Sequence, residues 1–94
     1  MQIRWLFHAL DDIDKIADYI SQDDPIAAKK TVYEIWRVSN LLKEQPDLGH
    51  PGRVAGTREL YVFGTRYILP YRIINDEIQI LRVIHTSRKW PDAL

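Results

Sequence analysis

The stretch "ILRVIHTSRKWP", Ile80 to Pro91, places an imidazole (His85), a guanidinium (Arg88), an ammonium (Lys89) and an indole (Trp90) directly behind an apolar run. Histidine is the usual general acid or base near neutral pH. An arginine beside it can hold a phosphate and stabilise charge that develops on it. The plainer alternative is that His85 caps a strand end and that Trp90-Pro91 folds back onto the core.

Other reactive constellations are missing. The chain has no cysteine, which excludes disulfides, thiolate metal sites and thiol nucleophiles, and suits a reducing cytosol. His8, His50 and His85 show no metal-ligand spacing. Ser21, Ser39 and Ser87 lack a nucleophile-elbow context. No glycine-rich loop joins a strand to a helix, so nucleotide cradling is unsupported. Asp11-Asp12 and Asp23-Asp24 read as acids at helix starts, where capping explains them better than acid–base work. Neither a metal nor a cofactor is expected.

A length of 94 residues suits one domain, 1–94, with a modest core. The hydrophobic fraction of 46% and charged fraction of 28% are ordinary for a soluble globular protein. No signal peptide or membrane span is visible, so a cytoplasmic location is expected. The zero net charge hides an asymmetry. Residues 1–50 hold six Lys/Arg against nine Asp/Glu, and residues 51–94 hold seven against four. Six of those seven cations are arginine, the side chain suited to bidentate contact with phosphate or carboxylate. Either this is a solvated face or the second half meets an anionic partner. The neutral total speaks against an indiscriminate nucleic-acid binder.

The elements that must position the tail follow from periodicity. "QIRWLF" alternates, with Ile3, Trp5 and Phe7 on one face, as a first strand would. In "ALDDIDKIADYI", Ile13, Ile16, Ala17 and Ile20 form the stripe of an amphipathic helix whose first turn holds Asp11 and Asp12. Asp24 then reads as an N-cap and Pro25 as the first residue of a second helix. The joint is short, so the two helices should form an antiparallel hairpin. "PDLGHPGRVAG" breaks all periodicity, and Gly52 and Gly56 within it should be structural. "TRELYVF", "RYILPYRII" and "EIQILRVIH" follow as three strands joined by short links, which make antiparallel neighbours. The whole is an α+β domain of order β-α-α-β-β-β, a helical hairpin packed on a small, mainly antiparallel sheet.

Strand parity refines the rim. Arg66, Ile68, Pro70 and Arg72 point one way, and Tyr67, Leu69 and Tyr71 the other. In the last strand Ile78, Ile80, Arg82 and Ile84 share one face, and Leu81, Val83 and His85 the other. His85 can therefore approach a tyrosine or arginine of the neighbouring strand. Pro70 cannot donate to a ladder, so that strand should be bulged or open there. Ile35, Leu42, Ile68 and Ile80 are expected in the core.

Taken in order, "ALDDIDKIADYI", "DDPIAAKKTVYEI", "LGHPGRVAGTREL", "YILPYRI" and "ILRVIHTSRKWP" resemble the toxins of bacterial type II toxin–antitoxin modules, the RelE/ParE superfamily. The resemblance covers nearly the whole chain. "GTREL", then "YxxxYR", then "VIHxxRxWP" is its specific part. It implies growth inhibition by this chain and neutralisation by a cognate antitoxin, in a toxin–antitoxin hetero-oligomer with no membrane partner. RelE-like members cleave mRNA on the ribosome with basic residues and often a tail tyrosine or histidine. ParE-like members block DNA gyrase and lack that set.

Here Ile68 stands where the RelE branch tends to carry an arginine, and no tyrosine follows Arg88. The "GTREL" and "HTSRKWP" pieces are similar to the ParE or plasmid-stabilisation branch, which is the branch expected. In that case Arg58, Arg72, Lys89 and Trp90 belong to the target-binding surface. Under the RelE-like alternative, a metal-independent endoribonuclease, His85 would exchange the proton while Arg88 and Arg66 hold the scissile phosphate. A further alternative is a protein-binding module without target activity.

Overall fold

The computed structural model describes residues 1–94. The sequence folds as two helices on one face of a six-stranded mixed sheet, with strand order β1-β5-β4-β3-β2 and β6 attached to β4. The elements are β1 (Gln2–Trp5), α1 (Phe7–Ser21), α2 (Pro25–Asn40), a 3-10 turn (Leu41–Lys43), β2 (His50–Pro51), β3 (Arg58–Val62), β4 (Tyr67–Ile74), β5 (Glu77–Ile80) and β6 (Ile84–His85). This is the expected α+β hairpin-on-sheet architecture, with one parallel pair, β1 with β5.

The helices follow their local signals. Asp24 caps α2, its Oδ1 accepting from Ala27 N at 3.0 Å, and Pro25 occupies the first turn. Phe7 departs from expectation. It opens α1 instead of ending β1, and its side chain is 75% exposed. The reason lies in the backbone: Leu6 N donates to Ile80 O, and Leu6 O then accepts from Ala9 and Leu10. Starting the helix at residue 7 moves Asp11 and Asp12 into its second turn, so they are not caps.

The sheet turns as its residue types require. Asn75 (φ 51°) and Asp76 (φ 61°) make the two-residue link between β4 and β5, with the left-handed pair that suits a twisted hairpin. In the irregular segment Gly56 has φ 78°, and a Cβ on Gly52 would lie 2.4 Å from Thr57 Oγ1. That segment also contributes β2, a two-residue strand beside β3 that the sequence did not announce.

The core lies between hairpin and sheet. Ala9, Ile35, Val38 and Leu42 meet Leu60, Val62, Leu69, Tyr71, Ile78, Ile80 and Val83. Ile35, Leu42 and Ile80 are fully buried as expected. Ile68 is not in that core. It alternates with Tyr67 and Leu69, which point inward, and so lies on the outer face, half-buried.

Candidate functional site

The rim around His85 depends on a break in the sheet. The expected last strand divides into β5 and β6, both antiparallel to β4. Tyr71 pairs with Ile80 and Ile68 with Ile84, so Leu69 and Pro70 face three residues, Leu81, Arg82 and Val83. The extra residue is a bulge. Pro70 explains its place: Pro70 O accepts from Leu81 N at 2.9 Å, but the ring nitrogen has no hydrogen to return. The expected opening at Pro70 is thus present.

The bulge also reverses the side-chain parity expected for this strand. Val83 joins Ile78 and Ile80 in the core, although strict alternation set it on the opposite face. His85, two residues further, turns to the same side and lines a recess against α1.

That recess, about 570 Å³, is walled by Asp12, Lys15 and Tyr19 of α1 and by Tyr67, His85 and Arg88 of the rim. The His85 ring meets Tyr67 edge-on, with centroids 5.2 Å apart and planes at 89°. Its Nδ1 accepts from Ser87 N at 3.2 Å and lies 2.8 Å from Ser87 Oγ. With Nδ1 as acceptor, the neutral ring carries its proton on Nε2. Burial, with a smaller contribution from nearby Tyr19, raises the Tyr67 pKa, so this phenol remains a hydrogen-bond donor at neutral pH. Arg88 N closes the turn onto His85 O at 3.0 Å.

A carboxylate fixes the bulge itself. Asp12 Oδ2 accepts from Arg82 Nε at 2.7 Å and from Val83 N at 2.9 Å, and Oδ1 accepts from Arg82 Nη2 at 3.0 Å. The hydrogen bond to Asp12 raises the Arg82 pKa further. Neither residue was singled out for this pairing, because they stand 70 positions apart.

The other expected residues disperse. Arg66 is exposed and lends its carbonyl to Thr86 N at 2.8 Å, but it does not line the recess. Arg58 donates to Gly49 O at 2.8 Å and Asp47 O at 3.1 Å, bracing the loop before β2. Arg72 donates to Gln79 Oε1 at 2.7 Å across the sheet. Lys89 is exposed. Trp90 folds back, but onto Arg53 and not onto the core, with the guanidinium 3.7 Å from its ring centroid. Its Nε1 is buried without an acceptor.

Beneath Trp90, Arg53 donates to the buried Glu59 carboxylate from its backbone N (2.8 Å), Nε (3.1 Å) and Nη2 (3.1 Å). Burial pushes the Glu59 pKa up, but these hydrogen bonds outweigh it and hold the group below the usual carboxylate value.

A second recess, about 830 Å³, lies between the helices. It is lined by Leu10, Ile13 and Ala17 of α1 and by Val32, Tyr33 and Trp36 of α2. Tyr33 and Trp36 remain 59% and 56% exposed. No binding role was expected of Tyr33 or Trp36 from the sequence. The available signal was a helical stripe carrying more apolar residues than a small sheet can cover. No three His, Cys, Asp or Glu side chains come together as a metal would need. No helix is long and apolar enough to cross a membrane.

Comparison with known proteins agrees with this geometry. The model of the family described as "ParE toxin of type II toxin-antitoxin system, parDE" matches residues 3–90. A protein of Sinorhizobium fredii (strain NBRC 101917 / NGR234), named "Putative toxin Y4kP", is 44% identical over 93 residues, covering 99% of this chain and 96% of its own. "Toxin RelE2" of Caulobacter vibrioides (strain ATCC 19089 / CIP 103742 / CB 15) is 32% identical over 87 residues, covering 93% and 97%. A chain of the solved "Chromosomal ParDE TA system from P. aeruginosa" superposes with a TM-score of 0.85 at 31% identity, covering 93% of this chain and 97% of that one. The chain belongs to the ParE toxin family of type II toxin–antitoxin systems, within the RelE/ParE superfamily.

Proposed function

We propose that this toxin inhibits growth by binding DNA gyrase in the cytoplasm, without catalysing a reaction, and that a cognate antitoxin neutralises it in a hetero-oligomer. The observation that carries this reading is the employment of the arginines. Arg53, Arg58, Arg72 and Arg82 are each committed to an internal partner. Only Arg66, Arg88 and Lys89 of the basic half remain outside such bonds, and Arg66 lies off the recess. A ribonuclease site gains from cations aimed at one phosphate, and beside His85 only Arg88 and Lys15, the latter bound to Asp11, are at hand; a binding rim needs only a few charges at its edge. The family match to ParE toxins points the same way. The apolar groove between the helices suits an amphipathic segment of the antitoxin, in the manner of a helix laid into a groove.

A second reading has its own support. His85, Tyr67 and Arg88 share one recess, and a relative bears the name RelE2. There His85 would act as general acid or base, and His85→Ala would lower mRNA cleavage by about 10²–10⁴. The purified toxin should be tested in parallel for inhibition of supercoiling by host gyrase and for ribosome-dependent mRNA cleavage. Inhibited supercoiling with intact mRNA is expected. Ribosome-dependent cuts abolished by His85→Ala, with supercoiling unaffected, would replace the gyrase reading with the ribonuclease one.

A further inference from the structure

Asp12 is the buried acid of α1, and its two oxygens are directed at the bulge. The bulge has few other fixed points, because Pro70 interrupts the ladder and β6 is two residues long. Leu81 N is held by Pro70 O, and the next backbone donor with a named partner is Val83 N, held by Asp12. His85 follows Val83 by two positions, so the spacing between α1 and the rim is set where Asp12 grips the strand.

We infer that Asp12 is a positioning residue for the rim: its carboxylate holds Arg82 and Val83 against α1, so that His85 and Arg88 face Lys15 and Tyr19 across one recess. This deepens the proposed function and rests on the rim being the surface that meets the target. A buried ion pair has a plainer role, pinning a helix to a sheet, and the two roles separate experimentally. Replacing both members of a buried pair with apolar residues of similar size is often neutral for stability, because the desolvation cost of the charges disappears with them. It cannot restore the directional bond to Val83 N.

The test is the double variant Asp12→Leu with Arg82→Met, followed by thermal unfolding, by proton NMR of the contact between the Tyr67 and His85 rings, and by gyrase inhibition. A positioning role predicts a cooperative fold, loss or displacement of the ring contact, and inhibitory potency about tenfold weaker. Wild-type ring contacts and potency in the folded double variant would reduce Asp12 to a structural pin. Should the double variant fail to fold, Asp12→Ala, which removes both acceptors while the partly exposed Arg82 can turn to solvent, decides by the same NMR contact: displacement supports the inference and an unchanged contact overturns it. If the wild-type toxin leaves gyrase untouched, the gyrase reading falls, while the ring contact still judges Asp12.

Discussion

The groove between the helices and the recess behind β6 share α1 as a wall, yet they are built on different terms. On one side α1 presents Leu10, Ile13 and Ala17, and α2 completes an apolar trough from the adjacent stretch of chain. Each wall is a helix whose backbone is satisfied locally, so the closing of the hairpin shapes most of the groove, with Trp5 of β1 at its edge. On the other side α1 presents Asp12, Lys15 and Tyr19 to residues that arrive from 67 and from 83 to 88. That recess needs the sheet, its bulge and one ion pair to be in place at once. The groove should therefore tolerate local damage, and the rim should be sensitive to changes made far from it.

The largest expected effect removes the support common to both. Ile80 is fully buried and pairs with Tyr71 and Trp5. Ile80→Ala should cost about 2–5 kcal/mol in denaturant unfolding, from lost burial plus the cavity left behind. A cost below about 0.5 kcal/mol would mean that neither region rests on this residue.

Next comes a pair of changes that should separate the two surfaces. Trp36→Ala should weaken antitoxin binding by about 2 kcal/mol, roughly thirtyfold in Kd, and leave gyrase inhibition intact. Arg88→Glu with Lys89→Glu should do the reverse, lowering inhibition about tenfold with little effect on the antitoxin. Calorimetry and supercoiling assays on the same preparations read both. Equal losses in both assays would merge the surfaces into one.

The smallest effect is a pH dependence on the outer face, away from either recess. The pKa of Glu59 is lower in the folded chain than its ordinary value of 4.5, so its contribution to stability is present above that value and lost as pH falls through the folded one. Glu59→Gln removes the contribution. The difference in Tm between wild type and variant should shrink between about pH 5 and pH 3. A constant difference across that range would show that the Arg53 pairing does not hold the group down.

The same contrast governs what the sequence revealed. The hairpin was legible because Ile13, Ile16, Ala17 and Ile20 keep a helical period and Asp24-Pro25 mark a start within a few residues. Pro70 correctly announced a disturbance. Its consequence, however, falls on the partner strand, where a single extra residue turns Val83 inward. Parity counting cannot see a bulge, and Ile68 was misplaced in the core because its hydrophobicity outweighed its register. The expected target contacts Arg58 and Arg72 are occupied by backbone carbonyls and a glutamine, partners that only the fold brings near. Asp12 looked like an end-of-helix acid for the same reason.

The pairing of β1 with β5 has a consequence for how the chain is made. β1 is an edge strand with one neighbour, and its register sets Gln2 beside Glu77, about 75 positions later. A parallel pair cannot be closed by a hairpin, and contacts so distant along the chain form late. During synthesis the first strand is born without a partner and waits until Glu77–Ile80 has emerged. The helices can form in the meantime, but β1 has nothing to dock on and Asp12 has no Arg82 to hold. The toxin thus reaches its finished shape only once β5 and Arg82 have been made.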